Sequence, residues 1–104
     1  MTLTKNFNTT IISRARKDRK FREGMLSEAI AELLSGDFDA GKAILRDYIN
    51  ATITFEVLSK FMEKDPKSII RMLSAAGNPA SKSLFMIFHV IKRLKKVRFD
   101  IVVR

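Results

Sequence analysis

Residues 54–73 read TFEVLSKFMEKDPKSIIRML, and this stretch decides how the rest of the chain is interpreted. Thr54 is suited to cap a short helix with an apolar face. Asp65-Pro66 is typical of an N-cap followed by proline at the first helical position, where the missing N–H costs nothing. The stretch therefore predicts two short helices, over 54–62 and 66–73, joined by a tight turn.

The second of these helices has two chemically different faces. Its core side is expected to hold Ile69, Met72 and Leu73, and its outer side Lys67, Ser68 and Arg71. Two helices of this size at a tight turn match a helix-turn-helix unit. A basic and hydroxylic outer face suits a reader of the DNA major groove, because arginine can bond both acceptors of guanine. The alternative is an ordinary solvated surface.

The flanking sequence is also helical in pattern until its last segment. Asp18 is a candidate N-cap, Gly36 is placed to end a helix, and Ser81 is expected to cap the final one. Apolar and charged residues then alternate over 97–103, which predicts a β-strand. Because one strand cannot satisfy its own backbone, this strand must pair with another, from the same chain or from a second one.

Composition favours a binding protein over an enzyme. The 104 residues are 46% hydrophobic and include no cysteine, which excludes a disulfide scaffold and a thiol nucleophile. The single histidine, His89, lies in an apolar helical pattern and is interpreted as a structural residue. Glu28 and Glu32 share a helix face without a third ligand at useful spacing, which indicates a solvated acidic face. We expect no catalytic residue, no cofactor and no metal.

The distribution of charge suggests more than one partner. The formal net charge of +9 is concentrated at the ends, because residues 1–24 carry +5 and residues 79–104 carry +6. Residues 25–50 carry −3. A basic protein accumulates at polyanions, of which nucleic acid is the commonest, whereas the acidic middle has no use in a general polyanion binder. No apolar run is long enough to span a membrane and no secretory leader is recognised, so a cytoplasmic protein without a membrane partner is expected.

The order of residues carries a family resemblance. RDYINAT (46–52), PKSIIRML (66–73) and GNP (77–79), followed by Leu84-Phe85, together resemble the addiction-module antidote proteins. These are HigA-like antitoxins with a lambda-repressor-type helix-turn-helix. The resemblance covers about residues 7–103. It implies an all-α single domain over 1–104, with N-terminal helices over 7–35, a helix-turn-helix bundle over 39–95 and the C-terminal strand.

The resemblance also implies a function. Such a protein is the antitoxin of a type II toxin–antitoxin module. It neutralises a RelE- or HigB-like ribonuclease toxin, and as a homodimer it binds operator DNA to repress its own operon. The residues then expected at DNA are Thr54, Lys67, Ser68, Arg71, Asn78, Ser81 and Lys82. A basic toxin would be attracted to an acidic surface, which Glu28, Glu32, Asp37, Asp39 and Asp47 would supply.

Two residues depart from the repressor pattern, and two other functions stay open. Phe55 stands where repressors usually carry a DNA-contacting glutamine, and Ile70 either meets a thymine methyl group or lies in the core. One alternative function is a stand-alone, phage-derived helix-turn-helix regulator without a toxin. The other is a membrane-surface or general nucleic-acid-coating protein that uses the basic ends.

Overall fold

A computed structural model of the chain describes the backbone of residues 3–104, and the side chains from Thr9 onward. The described residues form an all-α fold of six helices and no strand. The helices are α1 (Leu3–Lys17), α2 (Arg19–Ser35), α3 (Phe38–Ala51), α4 (Thr54–Met62), α5 (Pro66–Met72) and α6 (Ser81–Lys95). The all-α class is therefore confirmed, and the two short helices lie within one residue of their predicted bounds.

Local capping chemistry sets the first helix boundaries. The Asp18 carboxylate accepts a hydrogen bond from the Phe21 N–H at 3.1 Å and starts α2. Gly36 ends that helix with φ of 94°, a left-handed conformation that glycine adopts without a Cβ penalty. Asp37 then starts α3 by accepting from the Ala40 N–H at 3.2 Å. The predicted roles of Asp18 and Gly36 are confirmed.

One core is built from α2 to α6. The largest fully buried side chains are Leu45, Tyr48, Ile49, Leu58, Ile69, Leu73, Ile87 and Ile91. Among the helix pairs, α2 and α3 have the most extensive contact. A Cβ at Gly41 would lie 2.6 Å from Leu33 Cγ, so the absence of a side chain there lets the two helices approach. Helix α3 also contacts α1 and α4, and α4 in turn contacts α5 and α6.

The end of the chain differs from the sequence prediction in two ways. Helix α6 has Ala80 as its N-cap and no side-chain cap, so the predicted capping role of Ser81 is wrong and Ser81 is the first helical residue. The strand predicted over 97–103 is not confirmed, because the described residues contain no second strand with which it could pair. Val97 and Phe99 pack against the core instead.

None of the helices in the described part of the chain combines the length and the apolar character needed to cross a bilayer.

Candidate nucleic-acid interface

Helices α4 and α5 are joined by three residues, which fixes their short turn. Glu63 adopts a left-handed backbone, with φ of 54°, and ends α4. The Asp65 carboxylate accepts a hydrogen bond from the Lys67 N–H at 3.2 Å, and Pro66 begins α5 as the sequence predicts. Ile69 is fully buried on the inner side of α5. The opposite side of this short helix is therefore turned to solvent.

The solvent face of α5 is both basic and apolar. Lys67 and Arg71 are exposed and Ser68 is partly exposed. Ile70 lies between them in the sequence and is 42% exposed. Of the two roles predicted for Ile70, a place in the core is therefore excluded. Residues three and four apart share a helix face, which brings Lys67, Ile70 and Arg71 together. This combination can bond base or phosphate acceptors and also contact a thymine methyl group.

Phe55, at the position where repressors usually carry a DNA-contacting glutamine, has a structural role. It lies in the first turn of α4 and is only 4% exposed. The neighbouring Thr54 is exposed and has φ of 70°, an unusual backbone for a β-branched residue. Its hydroxyl accepts from the Val57 N–H at 3.4 Å. At this helix start, the exposed polar side chains are those of Thr54 and, in the same first turn, Glu56.

Two basic side chains of α3 hold the end of α5 in place. Arg46 Nη1 donates to the Leu73 carbonyl oxygen at 2.7 Å. Lys42 Nζ donates to the Gly77 carbonyl oxygen at 2.6 Å and lies 3.6 Å from the Asp39 carboxylate. Lys42 is almost fully buried. Charged donors make the stronger class of hydrogen bond, so these contacts orient the α5 end and the loop that follows it.

Sequence reasoning missed Lys42 and Arg46 as positioning residues. A signal for them existed, since they are the only basic residues in the otherwise acidic stretch 25–50 and lie one helical turn apart. In the sequence, Gly77 was identified only as the first residue of the GNP stretch, 77–79. A Cβ on it would collide with the carbonyl oxygens of Arg71 and Met72. This loop packs directly on the last turn of α5.

The start of α6 lies beside the same loop. Asn78 and Ser81 line a groove of about 460 Å³ that is also bordered by Asp39 and Lys42. Lys82 is exposed in the first turn. Because no side chain caps α6, its first amide groups are suited to an anion. Asp39 would oppose an anion, and its ion pair with Lys42 offsets that repulsion.

The acidic residues do not form one belt. Asp37 caps α3, and Asp39 is paired with Lys42 at the groove beside α6. Glu28 and Asp47 instead share a second groove, of about 470 Å³, which the basic Lys20 also borders. Its apolar lining is Ile11, Phe21, Met25 and Ile44. Burial raises the pKa of the Asp47 carboxyl, and the neighbouring Arg46 partly opposes that rise. Glu32 does not line this groove.

Among residues that carry side-chain detail, no three histidine or acidic groups converge as metal ligands would. His89 is exposed on α6, apart from both grooves. Comparison of the chain with protein-family models, with curated proteins and with solved structures finds no match.

Proposed function

We propose that this protein is the antitoxin of a type II toxin–antitoxin module, which binds operator DNA as a dimer and neutralises a RelE- or HigB-like ribonuclease. The DNA-binding part rests on one observation. Helices α4 and α5 are short and are joined by three residues, and the second of them exposes Lys67, Ile70 and Arg71. The lambda-repressor-like bundle is part of this proposal.

In the proposed complex, α5 enters the major groove and the start of α6 meets the phosphate backbone. Arg71 bonds a guanine, and Lys67 and Ser68 bond a base edge or a phosphate. Thr54, Asn78, Ser81 and Lys82 contact the backbone around these readers. Asp39 borders the α6 groove, so the phosphate contact there depends on Lys42 remaining charged and in place.

Footprinting and titration with the DNA upstream of the gene test this part. Arg71→Ala should weaken operator binding by about 1–3 kcal/mol and relax the preference at one base pair. Arg93→Ala removes the same charge from the last turn of α6 and serves as the matched control. Equal losses from the two variants, or no protected site upstream, would contradict the proposed reading helix.

For the toxin, we propose the groove that Glu28 and Asp47 border. Its apolar floor, bordered by two carboxylates and by one lysine, Lys20, suits a partner segment that carries apolar side chains and a net positive charge. Co-expression with the adjacent reading frame tests this. Glu28→Lys should reduce protection against the toxin, whereas Glu63→Lys, at the exposed residue that follows α4, should not. A neighbour that is harmless alone would refute the antitoxin function.

A stand-alone regulator is the second candidate, and one observation favours it. The groups expected at DNA lie on neighbouring elements. Four of the five acidic residues are instead divided between a helix cap, an ion pair and a separate groove, and Glu32 does not line that groove. This candidate requires operator binding together with an adjacent gene whose product this chain neither binds nor inhibits.

A further inference from the structure

The segment 97–104 has the alternation of a strand but no strand beside it. Val97 and Phe99 are partly buried against the core, whereas Arg98 and Asp100 between them are exposed. The Phe99 ring meets the Phe88 ring edge to face, with 6.1 Å between ring centroids. One side of the segment therefore rests on the helices, and its backbone is left without a neighbouring strand among the described residues.

The outward side of the segment is charged in a self-complementary way. Arg98 Nη2 lies 2.9 Å from the Asp100 carboxylate, which places both side chains on the same side of the chain. In an antiparallel pair, residues directly opposite each other share a face. If Phe99 lies opposite the Phe99 of a second copy, each Arg98 therefore lies opposite an Asp100.

We infer that two copies of this chain associate through antiparallel pairing of residues 97–101, with the two-fold axis at Phe99. The same register puts Val97 opposite Ile101, so apolar residues of both copies meet on the side that faces the helices. A groove of about 360 Å³ lies between α2 and the segment on this side. Leu26 and Ile30 form the apolar part of its α2 wall, beside the polar Arg19, Glu23 and Ser27.

Charge excludes most other registers. If the two-fold axis lay at Arg98 or at Asp100, that residue would lie opposite the same residue of the second copy and hence opposite a like charge. An axis at Ile101 would put Arg98 opposite Arg104. Like charges directly opposite each other are destabilising. An axis at Val102 pairs Asp100 with Arg104, but it relies on Ile101, Val102 and Val103, which are 68%, 74% and 91% exposed. An unsupported two-stranded ribbon is marginal in water.

A second copy of the chain is favoured as the partner over another protein, because residues 97–101 are complementary to themselves in the antiparallel register. The inference supplies the dimer that the proposed function requires. Its tests measure self-association alone, so they can fail while operator binding or toxin binding persists, and the converse also holds.

Charge exchange is the first test, with self-association followed by analytical ultracentrifugation of the full chain. Arg98→Asp should weaken the dimer about tenfold or more, since both symmetric contacts become like-charged. Adding Asp100→Arg in the same chain should restore it. Arg104→Asp, which alters a charge outside the register, should have little effect. A strictly monomeric chain at micromolar concentration, or no rescue in the double variant, would overturn the inference.

Cysteine cross-linking fixes the register, because the chain has no cysteine of its own. Opposed residues lie within the Cα separation that a disulfide tolerates, and diagonal neighbours lie beyond it. Arg98→Cys with Asp100→Cys should give a covalent dimer on oxidation, and Arg98→Cys alone should not. Efficient cross-linking of Val102→Cys, without that of the double variant, would assign the Val102 register and refute the one inferred.

Discussion

Gly77 offers the sharpest test of how the α5 end is held. A Cβ there would collide with the carbonyl oxygens of Arg71 and Met72 and lie 2.7 Å from the Met72 carbonyl carbon. These are backbone atoms, so relief requires the loop or the last turn of α5 to move. Lys42 also donates to the Gly77 carbonyl oxygen at 2.6 Å, and that bond moves with the loop.

The cost of Gly77→Ala follows from these contacts. Forcing an extra carbon into a packed site costs about 1–3 kcal/mol, and weakening a bond from a charged donor adds up to about 1.5–3 kcal/mol. Alanine also restricts the unfolded chain, which by itself raises the free energy of unfolding by about 0.4–1 kcal/mol. The free energy of unfolding should therefore fall by about 2–4 kcal/mol, and Tm by roughly 8–30 °C, since about 4–8 °C accompanies each kcal/mol in a domain of this size.

Gly24→Ala is the matched control, because it makes the same change in the unfolded chain. Gly24 lies inside α2 with nothing within 4 Å of a built Cβ. Alanine there should stabilise the protein by about 0.5–1 kcal/mol. Thermal and urea unfolding followed by circular dichroism measures both variants. If Gly77→Ala is as stable as the wild type, the loop does not pack on α5 as described.

Three further predictions concern buried groups. Lys42→Met should lower the free energy of unfolding by about 1–3 kcal/mol, because it leaves the Gly77 carbonyl oxygen without its donor. It should also weaken operator binding, although Lys42 is too buried to touch DNA. Unfolding experiments measure the first effect and DNA titrations the second. Asp47→Asn should stabilise the protein at pH 7 and leave it unchanged at pH 3 in urea unfolding. Burial raises the Asp47 pKa above its usual 3.8, so the folded state loses stability as pH rises from that value through the raised pKa. Phe55→Gln should cost about 3–5 kcal/mol, measured by Tm, because an amide replaces a core ring; tighter operator binding at unchanged Tm would contradict the core role of Phe55.

The helices could be predicted from sequence because their signals are local. Asp18, Asp65 and Pro66 act within three residues of themselves, and the apolar stripes need only the helical repeat. The C-terminal strand could not be judged in the same way, since its pairing partner is not encoded nearby. The role of Ser81 was misassigned because the preceding Pro79 and Ala80 already turn the chain into α6.

The candidate site was harder to predict because its positioning depends on contacts between distant residues. Lys67 and Arg71 were identified from helix periodicity, and they are exposed as expected. The bonds that fix their helix join residues 27 and 35 positions apart. No repeat or motif records such a pairing. Phe55 shows the same limit, since its burial follows from the whole core rather than from its place in a helix start.

The formal charge of a segment therefore differs from the charge that it offers to a partner. Residues 25–50 sum to −3, but Lys42 and Arg46 direct their charge at carbonyl oxygens of the α5 end and its loop. Glu28 stays exposed on the other side of this region, beside the groove that Asp47 also borders. Asp39 is paired with Lys42 and Asp37 caps α3, so residues of both signs take part in contacts within the fold and the sum does not describe the surface beside the groove. Helix α3 links the two proposed surfaces: Lys42 and Arg46 hold α5, while Ile44 and Asp47 line the groove. A partner that shifted α3 would disturb both charged hydrogen bonds at once.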